Sequence, residues 1–212
     1  SNGALREGMI YEMSDGPKTR SVTQRSVKKL SDQFTVDVAH VEHVLRYSEM
    51  LLEKLNVVIE KRLVNLLKAA IRLHEIGLSI AHSQYHKIGA FVVNNADMPG
   101  YSNQQKLVMA TLIRLHRRKI SRNVLAKLTE RQHEVVVQLL VIMRLAVVFA
   151  RNRHFDPLPL ERLHWRRQQV YLDIQPEWLE AHPLIKADLK DEVKQWHHMG
   201  LVLLINQSQT VG

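Results

Sequence analysis

The sequence contains no cysteine among its 212 residues. Disulfide bonds and thiolate metal sites are therefore excluded, and a reducing cytoplasm is the expected compartment. No signal peptide is recognisable, and the apolar runs at residues 135–141 and 201–205 are too short to span a bilayer. We therefore expect a cytoplasmic protein with no membrane partner.

Aromatic residues are also few, at 6% of the chain, which is thin for a protein that stacks the bases of single-stranded nucleic acid. The sequence lacks a glycine-rich phosphate loop as well. What is abundant is positive charge. The formal net charge of +9 favours a polyanionic partner, such as a phosphate polymer, and the low aromatic content argues against nucleic acid. An incidental basic surface that only aids solubility stays open.

Helical periodicity dominates the chain up to about residue 155. Asp37 is placed to cap one helix, and Ser102 with Gln105 forms a capping box at the start of another. Residues 135–142 are apolar on every side, which predicts a central position for their helix. The predicted helices span residues 20–34, 37–55, 60–78, 85–95, 102–118, 123–128 and 132–153.

The pattern changes after residue 155. Residues 163–174 predict a strand or hairpin with interleaved basic residues, 176–198 a single helix, and 201–205 a short strand that could pair with the first. The fold class is thus mainly α: a helical bundle at 17–155, followed by a small α+β subdomain at 156–212. Because the chain begins without methionine, we interpret it as a fragment, with residues 1–16 as a connector from upstream domains.

Several histidines and one carboxylate occur on successive predicted helices, at spacings that could gather them around one divalent cation. Neutral imidazole suits transition metals, and a carboxylate helps to polarise a bound water. Adjacent helical residues diverge by about 100°, so a neighbouring pair reaches one cation only if the cation lies over the helix edge. The candidate ligands are His43, His74, Glu75, His86 and His116.

This spacing resembles the HD superfamily of metal-dependent phosphohydrolases, helical domains in which histidines, a His-Asp pair and a late aspartate hold one or two metals. Residues 43–46, 73–77, 86–90 and 115–118 match its successive motifs. Two positions depart from it: Glu75 replaces the paired aspartate, and Val147 stands where the late aspartate belongs. Because valine offers no ligand, we expect a degenerate site without metal. Binding of a metal or phosphate without turnover, active hydrolysis, and histidines kept only for packing remain alternatives.

A second resemblance covers the whole chain and is carried by several segments. These are residues 3–8, 73–78 with 82–83, 94–101, 115–119, and Trp196 with 200–201. They resemble the C-terminal region of the exopolyphosphatase and guanosine pentaphosphate phosphatase family. The resemblance implies an HD-like bundle that is catalytically silent by itself. Two upstream actin-like domains, with Mg2+, would hydrolyse terminal phosphates, and the C-terminal part would bind the phosphate chain and form a homodimer.

The distribution of basic residues agrees with a polyanion partner, since spread Arg and Lys contacts give sequence-free, salt-sensitive binding. A first basic strip lies at residues 114–122, at the end of a predicted helix. Arg162, Arg166 and Arg167 could form a second strip, and Arg144, Arg151 and Arg153 a third. The candidate polyphosphate-binding residues are Arg114, Arg117, Arg118, Lys119, Arg122, Arg166 and Arg167. An autonomous HD phosphohydrolase and a pure protein-interaction module are the rival functions.

Overall fold

A computed structural model describes residues 17–206, and the predicted connector at residues 1–16 lies outside this range. The first part of the described chain is helical. Its helices are α1 (Pro17–Gln33), α2 (Val38–Lys54), α3 (Lys61–Leu73), α4 (Tyr85–Asn95), α5 (Asn103–Leu115), α6 (Arg122–Leu125) and α7 (Glu130–Phe149). Two short 3-10 helices, Ile76–Ser79 and Ala150–Asn152, follow α3 and α7. The prediction of a mainly α fold is confirmed.

Side-chain caps fix where three of these helices begin. Asp37 accepts a hydrogen bond from the backbone N–H of His40 at the start of α2. Ser102 and Gln105 form the predicted capping box of α5, and Thr129 with Gln132 forms a second one at α7. Each cap satisfies backbone N–H groups that the first helical turn leaves without partners.

Helix α7 is the centre of the bundle and packs against α2, α3 and α5. Five consecutive side chains in its middle are at most 1% exposed: Leu139, Leu140, Val141, Ile142 and Met143. The segment Gln132–Asn152 is long and apolar enough to cross a membrane, but 67% of its most apolar window is buried inside the protein. Such burial is that of a core helix, as the all-round apolar pattern predicts.

The remaining elements are β1 (Leu160–Arg166), β2 (Gln169–Ile174), α8 (Pro176–Ala181), α9 (Pro183–His198) and β3 (Val202–Ile205). Strands β1 and β2 form an antiparallel hairpin in which Leu163 faces Leu172. Strand β3 pairs with β2, and in parallel, so that Val170 faces Leu203. The sequence predicts that the last strand pairs with the preceding strand or hairpin, and it pairs with the second arm of that hairpin. A parallel pair needs a crossover connection, and here α8 and α9 return the chain beside β2.

The prediction of one helix over residues 176–198 is wrong. The helix breaks at His182, whose φ of −123° and ψ of 65° are not helical. Pro183 is the cause, since its ring disfavours the helical conformation of the preceding residue and it has no N–H to donate.

The two parts of the chain share one hydrophobic core that continues across residue 155. The Tyr47 hydroxyl donates to the Asp156 carbonyl at 2.8 Å, and Asn56 exchanges hydrogen bonds with the backbone of Trp165. Strand β1 also packs on α2. A division near residue 155 stays a prediction, and it marks a change of secondary structure rather than a gap in the core.

Candidate functional site

His74 and Glu75 lie where α3 ends, and both are buried, at 1% and 4% exposure. The Nδ1 of His74 lies 2.6 Å from the Ile71 carbonyl oxygen. Because a carbonyl only accepts, Nδ1 carries the ring proton and Nε2 keeps its lone pair. A backbone bond of this kind is typical of metal-ligating histidines.

His116 repeats this arrangement at the end of α5. Its Nδ1 lies 2.7 Å from the Ile113 carbonyl oxygen, and its ring meets the ring of His74 edge-on at 5.1 Å. The ring of His86, on α4, lies 6.4 Å from that of His116. Four of the five predicted ligands, His74, Glu75, His86 and His116, are therefore close together.

In the part of the chain that the structure describes, no ring contact joins the fifth predicted ligand, His43, to this group. Its ring lies 6.4 Å from that of Phe155. His40, one turn earlier on α2, instead approaches His74 with a ring separation of 5.7 Å. Ligand atoms of His40, His74 and Glu75 all lie within 4.8 Å of one another. The sequence offered no spacing that distinguished His40 from His43, because residues three apart share a helix face.

Arg153 is the other residue that the sequence analysis did not place here. Its Nη2 donates to Glu75 Oε1 at 3.0 Å, and its Nη1 donates to Asp37 Oδ2 at 2.7 Å. Arg153 ends the second 3-10 helix with a left-handed φ of 57°, and this turn brings its side chain back over α2 and α3. The guanidinium thus bridges the cap of α2 and the carboxylate that follows α3.

Burial holds the histidines of this group in their neutral form. It lowers the pKa of His40 to about 4, with the nearby Glu75 opposing the shift. Burial also lowers the pKa of His74 to about 4, and that of His116 well below its ordinary value. Neutral imidazole is the form that binds metals, and it is also the form that packs without a counter-charge.

The metal that the HD superfamily uses can be tested against these residues. In favour, His74 is oriented by a backbone carbonyl, and Glu75 Oε2 is buried without a hydrogen-bond partner. Against, Glu75 Oε1 is already bonded to a guanidinium, and Val147 packs against the core and offers no ligand. With Arg153 in place, the residues do not fit a divalent cation, so no hydrolytic step is assigned to them.

A basic cluster lies beside the histidines, around His86. The pKa of His86 is lowered to about 4, mainly by burial. Four nearby positive charges lower it further, those of Arg114, Arg117, Lys87 and Arg118. The guanidinium of Arg117 stacks over the ring of Tyr85 at 4.7 Å. Within residues 17–206, none of these four cations forms an ion pair with a carboxylate. We name Lys87, Arg114, Arg117 and Arg118 the His86 cluster.

The loop that carries part of the His86 cluster is fixed from inside the protein. Arg144, which is 2% exposed, binds Glu192 of α9 through two bonds of 2.7 Å. The same guanidinium donates to the carbonyl oxygens of Leu115 and Arg118. Glu192 therefore holds Arg144, and Arg144 holds the backbone that presents the surface arginines.

The other predicted basic residues differ in what they contact. Lys119 is exposed, and Arg122 donates to the His198 carbonyl. Arg166 and Arg167 are exposed at the β1–β2 turn, whose Gln168 carbonyl accepts from Val202. Arg122 and the β1–β2 turn thus border the segment that joins α9 to β3, whereas Arg162 of the second strip pairs with Asp173.

The predicted third basic strip is wrong. Arg144 is buried, so it cannot reach a polyanion on the surface. Arg151 pairs with Asp188, and Arg153 pairs with Asp37 and Glu75, so both are already neutralised within the fold. Sequence spacing could not reveal these partners, because each lies between 37 and 116 residues away.

Residues 22–193 match the model of the Ppx/GppA phosphatase family, domain III. The chain belongs to this family. Relatives named guanosine-5'-triphosphate,3'-diphosphate pyrophosphatase include proteins of Pseudoalteromonas translucida (30% identical over 97% of this chain) and Photobacterium profundum (31% over 99%). In both, the match covers 42% of the relative. This Ppx/GppA chain thus spans less than half the length of the curated relatives that it matches, and the resemblance stated from its sequence is confirmed.

Proposed function

We propose that this Ppx/GppA chain is the accessory C-terminal region of an exopolyphosphatase-type enzyme and binds the phosphate chain of the substrate. The observation that carries the proposal is the His86 cluster, four cations around one buried neutral histidine without a carboxylate partner in the described chain. Such a cluster is left with positive charge that a polyanion can neutralise. The relatives are named for a guanosine that carries a triphosphate and a diphosphate, which is also a phosphate-rich anion.

Arginine dominates the cluster, and this suits the proposed ligand. A guanidinium is planar and donates to two phosphate oxygens at once, whereas a lysine acts as a point charge. Lys119 and the exposed Arg166 and Arg167 would extend the contact along a long chain. Each contact to a regularly charged polymer releases counterions, so affinity should fall steeply with salt.

Hydrolysis is proposed to occur elsewhere in the parent protein. By the family resemblance, upstream actin-like domains, with Mg2+, would cleave terminal phosphates while this region holds the chain. The parent would act in the cytoplasm as a homodimer. In this view the fragment alone is inactive on polyphosphate.

Fluorescence anisotropy with labelled long-chain polyphosphate tests the binding role. The variant Arg117→Glu/Arg118→Glu should bind more weakly than wild type by about tenfold or more, and its log-affinity should fall less steeply with log-salt. The matched control is Lys54→Glu/Lys61→Glu, which reverses two charges on exposed lysines away from the cluster. Equal loss of affinity in both variants, or a wild-type affinity that does not change with salt concentration, would refute a specific role for the cluster.

The same titration with guanosine pentaphosphate distinguishes the two phosphate-rich ligands. If the cluster contacts only phosphate groups, affinity should rise with chain length and should not depend on the guanosine. Tighter binding of the nucleotide than of a long polymer would instead indicate a nucleotide site.

The two rival functions have their own tests. Sedimentation velocity, with and without polyphosphate, reports homodimer formation, and a monomer that recruits only other proteins would indicate an interaction module. Phosphatase assays with added manganese test for an autonomous HD hydrolase. That rival is favoured by the grouping of His40, His74 and Glu75 and opposed by the ion pair of Arg153.

A further inference from the structure

Arg153 enters the histidine group from the surface and ends on a buried carboxylate. Its side chain is 49% exposed, whereas that of Glu75 is 5% exposed. A buried carboxylate needs a compensating charge, because transfer from water to a protein interior strongly disfavours an isolated ion. Among residues 17–206, Arg153 is the only arginine or lysine that forms an ion pair with Glu75.

Arg153 makes this contact from an uncommon backbone conformation. Its φ of 57° lies in the left-handed region, which few residues with a side chain adopt. Both terminal nitrogens of the guanidinium are used, one on Glu75 and one on Asp37. Two carboxylates from different elements therefore converge on one cation, as they do around a divalent metal.

The polar atoms around this cation are of the types that bind metals. His74 is held by the Ile71 carbonyl in the tautomer that leaves Nε2 able to ligate. Two further atoms, Glu75 Oε2 and His40 Nδ1, are buried without a hydrogen-bond partner. Buried polar atoms are normally satisfied, so these two are available to a ligand beside the guanidinium.

We propose that the guanidinium of Arg153 takes the place of a divalent cation in this pocket, and that His40, His74 and Glu75 form a transition-metal site that opens when Arg153 is removed. Two imidazoles and one carboxylate are ligands that zinc, cobalt and manganese accept. The inference does not depend on phosphate binding, because the His86 cluster lies on other elements and no residue is shared between the two.

Cobalt(II) titration followed by visible absorption tests the proposal, since the spectrum reports coordination directly. Arg153→Ala should bind one equivalent of cobalt about tenfold or more tightly than wild type, because a competing charge has left the carboxylate. The matched control, Arg151→Ala, removes an arginine two residues earlier that pairs with Asp188 instead, and it should bind as wild type does. Adding His74→Ala to Arg153→Ala should abolish the gain.

A second variant guards against an Arg153→Ala protein that does not fold. Asp37→Asn keeps an oxygen to cap α2 but removes one of the two anchors of the guanidinium, so it should gain cobalt affinity to a smaller extent. Far-UV circular dichroism establishes that each variant is folded. Wild type that binds cobalt as tightly as Arg153→Ala, or a folded Arg153→Ala and Asp37→Asn that both gain nothing, would overturn the proposal.

Discussion

At the scale of single residues, the buried histidines couple stability to pH. His74 is fully enclosed and its pKa is lowered to about 4 by burial. In the unfolded chain a histidine titrates near its ordinary value of about 6.5. Between these values the unfolded chain binds more protons than the folded one, so stability rises with pH across this window.

We therefore predict that the histidine contribution to the free energy of unfolding is present above the unfolded pKa of about 6.5 and is lost as pH falls toward 4. His74 alone should remove about 2 kcal/mol between pH 7.5 and 5, and His116 should add to this loss. Urea unfolding at several pH values measures it. His74→Gln, which cannot titrate, should have a shallower slope than wild type, and an unchanged slope would contradict the assignment.

The pair of Arg144 and Glu192 is a second residue-scale feature, in which each buried charge compensates the other. Removing one member of a buried ion pair leaves an uncompensated charge and costs about 3–5 kcal/mol. Glu192→Ala and Arg144→Met should each lose about this much.

The double variant should lose clearly less than the sum of these two, although the Leu115 and Arg118 carbonyls lose their donor. Urea unfolding of the four proteins in this cycle measures the coupling. Strictly additive losses would show that the two side chains act independently.

At the scale of elements, a backbone contact between the first 3-10 helix and α4 brings His86 beside His116. A Cβ added at Gly77 would lie 2.1 Å from the carbonyl oxygen of Tyr85, which is backbone and cannot rotate away. At Gly89 the nearest atom would be a side-chain carbon of Ile113 at 3.3 Å, which can give slightly.

Gly77→Ala should therefore be more damaging than Gly89→Ala. We predict a loss of about 3 kcal/mol or more in unfolding free energy for Gly77→Ala. Gly89→Ala should change it by less than about 1 kcal/mol, because the gain in helix propensity inside α4 offsets the close contact with Ile113. Thermal unfolding by circular dichroism compares the two. An equal loss would mean that α4 can move away from the turn, and the positions of Tyr85 and His86 would then not depend on Gly77.

Local signals explain which elements the sequence could predict. The capping box at Ser102 and the all-round apolar residues of α7 are decided within a few residues, and both predictions are confirmed. The identity of the site residues depends on longer distances. Whether His40 or His43 reaches His74 is set by the rotation of α2, and the approach of Arg153 to Glu75 spans 78 residues and a left-handed turn. No periodicity carries that information.

At the scale of the whole molecule, the bundle and the α+β part are expected to unfold together. The core is continuous across residue 155, and the Arg144–Glu192 pair and the Tyr47–Asp156 hydrogen bonds join the two parts. All three tryptophans, Trp165, Trp178 and Trp196, lie after residue 155, so tryptophan fluorescence reports on the α+β part, whereas far-UV circular dichroism reports mainly on the bundle.

We predict that the two signals give coincident urea midpoints, as one cooperative unit requires. Tyr47→Phe keeps the packing of the ring and removes only the hydroxyl bonds across the boundary. If the two parts unfold as one unit, the variant should lower both midpoints by the same amount. Separate midpoints in wild type would instead establish two domains that fold independently near residue 155. Since Glu192 lies in the α+β part and fixes the loop of Arg118 through Arg144, coincident unfolding would also mean that the His86 cluster cannot keep its geometry without that part.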